Sequence, residues 1–441
     1  MAATTTATLA NILARTYNRE DYFAPHERSM AKYYDSVEDF PDGGKPLGTD
    51  RRFTIRTKDS HAAGGTAESA DLPAFSPPSV LQASVTAIQV AASVAWSELM
   101  AMVGQGEGFV GVGTDIIDDH VRMTTRNLMS ALNRLTLGHA TGRMAVVEST
   151  TSSSLTFVCR LPEHVLQLRE GMTIDFYDTD TGGSKQGATQ TIVSINFETR
   201  TVTLDATRSL TAGWGVYKAL STSVSEYGIA PFGLRGIVDN GPLAATIFGI
   251  TRSTNPQVNA TVLNAAPGLQ SYSEALVRKG LNRIFYSTGL EASEIWLNQG
   301  VLSEHLNHLT GNRIFTVAPG ETVPKYRIGH DERQVGFDHN GKFIPFKVDS
   351  DLPAREMLLV TGNLFRRHIL RKANWVGDGV GPDGSPTAIL MQAPGTGANT
   401  YALSKVAGLL WAGNIAHLQP KANCRITDIV DTELAGDAIV T

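Results

Sequence analysis

Cysteine is scarce in this chain. Cys159 and Cys424 are the only two in 441 residues, and they stand far apart in no CxxC pair. That excludes a disulfide-stapled fold and a multi-cysteine zinc site, and it leaves two reduced, partly buried thiols in a chain folded in a reducing cytoplasm. Long apolar runs are absent too. Nothing approaches the ~18 residues of a membrane helix, and the opening MAATTTATLANILARTYNRED lacks the basic-then-apolar order of a secretory signal. The sequon Asn259-Ala260-Thr261 is therefore expected to be idle. Positive charge is not in excess: 38 Lys and Arg face 43 Asp and Glu, a net −5. The surface as a whole is not built to coat nucleic acid, although a local basic patch remains open. Charged residues make up 18% and apolar residues 42%, enough for a sizeable core and too apolar for global disorder. At roughly 150 residues per domain the length allows two to four domains or one elaborate one.

Catalytic signatures are missing as well. There is no GxSxG, no P-loop and no CxxC…CxxC, and no repeat recurs at a fixed period. Three near-misses have ordinary readings. Gly106-Glu107-Gly108-Phe109-Val110-Gly111 matches GxGxxG, but no βαβ unit surrounds it, so it reads as a glycine hinge. In Glu304-His305-Leu306-Asn307-His308 the two histidines share a helix face, yet HExxH and a third ligand are lacking, so a solvated face is expected. Asp178-Thr179-Asp180-Thr181-Gly182-Gly183 opens like a calcium loop without its closing Glu and reads as a hairpin turn. The expectation is no catalytic residue, no cofactor and no metal.

The elements present are distinctive in order. Residues 5–15 suit a short helix, and PDGGKPLG (41–48) closes an arm, residues 1–48, too poor in apolar residues for its own core. RRFTIRTK (51–58) alternates as a half-buried strand. A small-residue stretch follows (61–79), then VLQASVTAIQVAASVAW (80–96) alternates again with a slip at 87–88, read as one strand with a bulge. These two strands form a long flap that needs a partner surface. GQGEGFVGVG (104–113) leads into a helix over 115–137 with Thr114 as N-cap, three early Asp residues and Gly138 as the stop. Its stripe is Ile117, Val121, Leu128, Ala131, Leu132 and Leu135. Residues 145–218 hold five or six short strands, including a hairpin closed by residues 196–200, and suggest an inserted β-barrel. A helix spans 269–289, a strand 294–297 and a helix 301–311, with strands dominating from 326 onward. Between them, GLRGIVDNGPLAATIFGITRSTNP (233–256) is well punctuated and carries little chemistry: one acid, Asp239, and no His or Cys.

Taken together, GGTAESADLP (64–73), the hinge and helix between Trp96 and Gly138, LGHATGRMAVV (137–147), GMTIDFYDTD (171–180) with TVTLDA (201–206), GLRGIVDNG with FGITRSTNPQVNATV (248–262), and DSDLPAREMLLVTGNLF (349–365) resemble the major capsid proteins of tailed bacteriophages. These have the Hong Kong 97-type fold, in the branch with a β-barrel insertion. The resemblance covers residue 50 to the C-terminus and implies an α+β fold: N-terminal arm 1–48, extended β-hairpin loop 49–96, peripheral domain 97–144 with spine helix 115–137, inserted barrel 145–218, peripheral strands and connector 219–264, axial domain 265–345, and a return to axial and peripheral strands over 346–441. The quiet stretch becomes a shaped, rigid connector, with Pro242 and Pro256 fixing the chain's exits.

The implied function is a coat protein, not an enzyme, that self-assembles into hexamers and pentamers of an icosahedral head around double-stranded DNA. Contacts between rings would run through residues 51–79 and the arm. The implied location is the virion, after assembly in the host bacterial cytoplasm. Implied partners are further copies of the chain, a portal, a separate scaffold protein (some 50 residues before the hairpin are too few for a built-in scaffold), a decoration protein where one is used, and packaged DNA held without sequence-specific contacts; no membrane is implied. Some relatives crosslink a loop Lys to an Asn; Lys58 lies near the loop, but no partner Asn is identified. The alternatives are an encapsulin-like shell of a cellular nanocompartment, a β-rich soluble enzyme, and a tail or fibre protein, the last disfavoured by the absence of repeats and coiled coil.

Overall fold

The computed structural model describes residues 32–40, 49–58, 77–97, 112–221, 224–265, 268–311, 336–375, 379–380, 386–387, 391–394 and 401–432. The expected helix at 5–15, the GxGxxG hinge and the tip of the flap lie outside them. In chain order the elements are α1 (Lys32–Ser36), β1 (Glu38–Asp39), β2 (Asp50–Lys58), β3 (Ser79–Thr86), β4 (Ile88–Ser97), α2 (Val112–Leu137), β5 (Ala145–Val146), β6 (Thr151–Val158), α3 (Pro162–Gln167), β7 (Thr173–Thr179), β8 (Gly182–Asn196), β9 (Thr201–Leu210) and β10 (Gly215–Lys218). Then come α4 (Leu234–Ile237), β11 (Thr246–Ile247), β12 (Ile250–Thr251), β13 (Thr261–Leu263), α5 (Glu274–Thr288), β14 (Glu294–Leu297), α6 (Gln299–Gly311), β15 (Gly336–His339), β16 (Lys342–Val348) and β17 (Met357–Val360). The chain ends with β18 (Phe365–Trp375), β19 (Gly379–Val380), β20 (Pro386–Thr387), β21 (Met391–Pro394), β22 (Tyr401–His417) and β23 (Cys424–Ile426). The fold is mixed α and β, rich in sheet with few helices.

Two compact units divide the chain. The first comprises residues 1–36, 86–133 and 368–414. Here β22 pairs antiparallel with β4 over a ten-residue register, Ile88 opposite Gly413 through Ser97 opposite Ser404. Trp411 is buried in this pairing, its indole N–H donating to the Tyr34 hydroxyl at 2.9 Å with the two rings edge to face. A buried Trp needs such an acceptor.

The second unit comprises residues 37–85, 134–367 and 415–441. The alternation in 80–96 turns out to be two strands with different partners: β3 pairs with β2 here, whereas β4 belongs to the first unit. The one-residue slip at Ala87 is thus a change of pairing partner rather than a bulge. Within β2 and β3, Ile55, Ala83 and Val85 point inward, as alternation requires. The helix α2 begins at Val112, so Thr114 lies inside its first turn; it belongs to the first unit up to Asn133 and to the second from Arg134, and its buried apolar side chains among the described residues are Leu128, Leu132, Leu135 and Leu137.

Residues 145–218 form a six-stranded sheet in the order β5-β10-β7-β8-β9-β6. Its first and last members meet where Val147 bridges Cys159. Phe157, Phe176, Ile174, Ile192, Val202 and Val216 fill it, with Phe157 edge-on to Phe176. The hairpin expected around 196–200 is present, with Asn196 opposite Thr201 and Ile195 opposite Val202. A second, mixed sheet runs β13-β23-β17-β14-β16-β15, with α5 and α6 packed on it. The N-terminus of α5 is capped by Ser273, whose hydroxyl accepts the Leu276 N–H, and Gly289 ends it in the left-handed region at φ 72°. That conformation suits glycine. Val277, Leu281 and Ile284 face the sheet, and Gly280 packs closely against Cys424, Ile426 and Leu359.

Both cysteines are free and buried, in different cores, and burial pushes each thiol up to about 12. Since the thiolate is the reactive form, both should resist a thiol reagent at pH 8 in the native chain, and two equivalents should react once urea unfolds it. A thiol titration in each state checks this.

Candidate assembly surface

The connector 233–263 is clamped by charge. The Asp239 carboxylate is fully buried; one oxygen accepts backbone N–H groups from Gly241, Leu243 and Ala244, and the other accepts Arg425 Nη2 from β23 at 2.7 Å. A buried carboxylate requires this degree of satisfaction. Arg252 donates from Nη2 to the carbonyls of Gly236 and Ile237, tying the strand β12 back to α4. Burial lowers its guanidinium to about 10, with Asp239 opposing. The stretch that reads as chemically quiet therefore holds two of the best-buried charges in the unit.

From this clamp projects the turn between β11 and β12, where Phe248 and Gly249 both have positive φ, 51° and 78°. This is the two-residue geometry that matches strand twist, and Phe is an uncommon occupant. The aromatic ring accounts for it. Phe248 is buried between Phe53 of β2 and Phe232, at centroid distances of 5.4 and 5.1 Å, and its carbonyl accepts the Ser84 N–H of β3. Phe40 packs on Phe53, and Arg51 lies over the Phe40 ring at 4.5 Å. The connector thus grips the base of the two-stranded flap.

Two exposed surfaces belong to this unit. On α5, Arg278, Lys279 and Arg283 point outward beside Phe285 and Tyr286, and Tyr286 is 80% exposed. The three cations make no ion pair among the described residues. On the 145–218 sheet, Leu155, Val193 and Phe197 are exposed; Leu155 and Val193 fall at register shifts of β6 and β8, where a bulge re-aims the side chain.

The near-miss motifs resolve as follows. His305 is buried, its Nδ1 2.7 Å from the Tyr272 hydroxyl, and burial lowers its pKa. Glu304 accepts from the Thr432 backbone and hydroxyl. The expected solvated face is thus a core contact at His305, because Tyr272 reaches it from 33 residues away. Asp178 accepts the Ser184 N–H at 2.9 Å and Asp180 pairs with Arg143 at 2.7 Å, so this acidic run is the turn between β7 and β8. Among the described residues no group of three His, Cys, Asp or Glu side chains is placed to hold a metal ion.

No family model matches the chain, and no curated protein matches it. Solved structures do. A chain of the cyanophage A-1(L) capsid aligns with a TM-score of 0.51 at 13% identity, covering 97% of this chain and 98% of that one. The chain has a phage-capsid fold. A chain from Mycobacterium phage Bobi (10% identity, covering 97% and 99%) and the capsid of the native GTA particle (9%, covering 98% and 100%) align at TM-scores of 0.45.

Asp239→Ala leaves Arg425 buried without its hydrogen-bonded carboxylate, with only the more distant Glu356 and Asp428 charges facing it. It should lower unfolding stability by about 3–5 kcal/mol, as read from urea denaturation, and it should raise proteolytic cleavage in the β2–β3 segment.

Proposed function

We propose that the chain is the major capsid protein of a tailed phage, a structural and non-enzymatic coat protein that builds hexamers and pentamers of an icosahedral head around double-stranded DNA. The alignment with a cyanophage capsid chain, over 97% of this chain and 98% of that one, carries this reading. In it, β2 and β3 are the base of the Hong Kong 97-type extended loop (49–96) that lies over a neighbouring subunit, and α2 is the spine helix. Residues 145–218 are the inserted barrel, a reading supported by the Val147–Cys159 bridge between first and last strands. Residues 265–345 are the axial domain at the ring centre, and the arm 1–48 wraps a neighbour. Scaffold, portal, any decoration protein and packaged DNA are the further partners, and the virion is the location.

Physics favours the reading independently. The flap's base is buried in its own unit, but Val80 beyond it is exposed, surface that a second copy would cover, and contacts repeated by symmetry need not be individually strong. Sedimentation and negative-stain microscopy of the chain expressed alone and with a candidate scaffold test it. Closed shells or capsomer rings are expected; a monomer or dimer under both conditions overturns it.

The α5 face has the composition of an interface anchor, Tyr and Arg around an aromatic pair. The double variant Tyr286→Ala, Arg283→Glu touches only exposed side chains. It should leave the melting temperature within about 2 °C of wild type while cutting shell yield several-fold, because a lost anchor of about 2 kcal/mol per contact recurs at every copy.

A further inference from the structure

Glu163 is the second residue of α3 and is 3% exposed. Both of its carboxyl oxygens are enclosed; no side chain hydrogen-bonds to them, and the backbone N–H groups of Glu163 itself and of Ala354 approach without forming a well-aligned bond. A cavity of about 30 Å3 lies beside it, room for one or two waters. The walls come from several elements around α3. The end of α2 and the turn after it supply Arg134, His139 and Arg143; α3 itself supplies His164; α4 supplies Arg235; and the turn before β17 supplies Asp351. Glu356 stands behind Arg235.

The cations in this wall are already engaged. Arg134 pairs with Glu226 at 2.6 Å, Arg143 with Asp180 at 2.7 Å, and Arg235 with Glu356 through Nε at 2.8 Å. The histidines offer no charge either. His164 Nδ1 accepts the Val146 N–H, which fixes a neutral ring, and His139 Nδ1 meets the Thr141 hydroxyl at 2.6 Å. Burial, then Arg143, holds both imidazoles well below their ordinary pKa. Glu163 is thus a wall carboxyl with no ion-pair partner of its own, and burial outweighs the backbone N–H groups and Arg235 that favour its charge, so it takes up a proton rather than remain ionised.

We propose that Glu163 is a proton-operated latch: protonated, it lets α3 lie closed against the turn 349–354, and ionised, it drives the two apart and loosens the hold of the unit on the 145–218 sheet. Burial pushes this carboxyl from 4.5 up to about 7, against the pull of backbone N–H groups and of Arg235. The closed form therefore binds the proton more tightly than the open form. Its advantage is complete below the ordinary carboxylate pKa and is lost as pH rises towards about 7. The two histidines act in the opposite sense. Their pKa values are lowered in the closed form, so they favour closure above the ordinary 6.5 and oppose it as pH falls. The two effects offset each other in wild type, so the carboxyl's share emerges only against a variant that lacks it.

The test is amide hydrogen exchange on the full chain, read on peptides spanning 161–168 and 349–357 and corrected for intrinsic exchange, for wild type and Glu163→Gln. Because the histidines contribute equally to both, the wild-type-to-variant ratio of opening constants should rise about tenfold from pH 6 to pH 8.5. The exposed-turn variant Glu198→Gln should give a ratio without trend. A pH-independent ratio for Glu163→Gln overturns the proposal. So does failure of both Glu163→Gln and Glu163→Ala to fold at pH 6, since a group that acts only by losing its proton is dispensable when neutral.

Discussion

The buried pair between Asp239 and Arg425 is the constraint on which the larger unit depends. It joins the connector to β23, an inner strand of the second sheet, across 186 residues of sequence. Everything the connector carries inherits its position from that bond: the Arg252 tie to α4, the strained turn at Phe248, and through Phe248 the base of the flap. Such a pair adds little net stability compared with apolar residues of the same shape, but it punishes any other arrangement by stranding a charge. Its value here is geometric. In the proposed coat-protein role, where a subunit meets many identical neighbours, each projecting element must stand at one angle, and a buried charge pair enforces one angle more sharply than apolar packing.

The same device recurs. Arg134 with Glu226 and Arg235 with Glu356 bridge segments 92 and 121 residues apart, all largely shielded from water. In a chain with only 18% charged residues, a noticeable share of the charge is invested inside. Glu163 sits among these pairs as the exception, which is why its protonation has a mechanical meaning that theirs do not.

Periodicity made much of this architecture readable. The alternation of 51–58, the long helix ending at Gly138 and the hairpin around 196–200 are local patterns, and local patterns survive in sequence. What depended on distant partners did not. Residues 80–96 read as one bulged strand because nothing local says that the pairing partner changes at Ala87. Asp239 read as a lone acid because Arg425 lies far along the chain. Glu163, after Pro162 at a helix start, has the pattern of an ordinary first-turn acid, and only the fold closes the walls around it. His305 looked solvated for the same reason, since its partner Tyr272 lies outside its own helix. The capsid resemblance was legible in the order of pieces, none of which identifies the fold singly.

The bridge between Val147 and Cys159 has a consequence for life at high local concentration. Where the end strands meet, at Val147 and Cys159, no free edge is left on which a neighbour's strand could be added. In the proposed assembly, copies crowded near this point of the 145–218 sheet would touch by side chain without zipping together by main chain. Contacts of that kind can form, slip and re-form while a large assembly corrects its errors, whereas a strand exchanged between sheets would lock the first mistake in place.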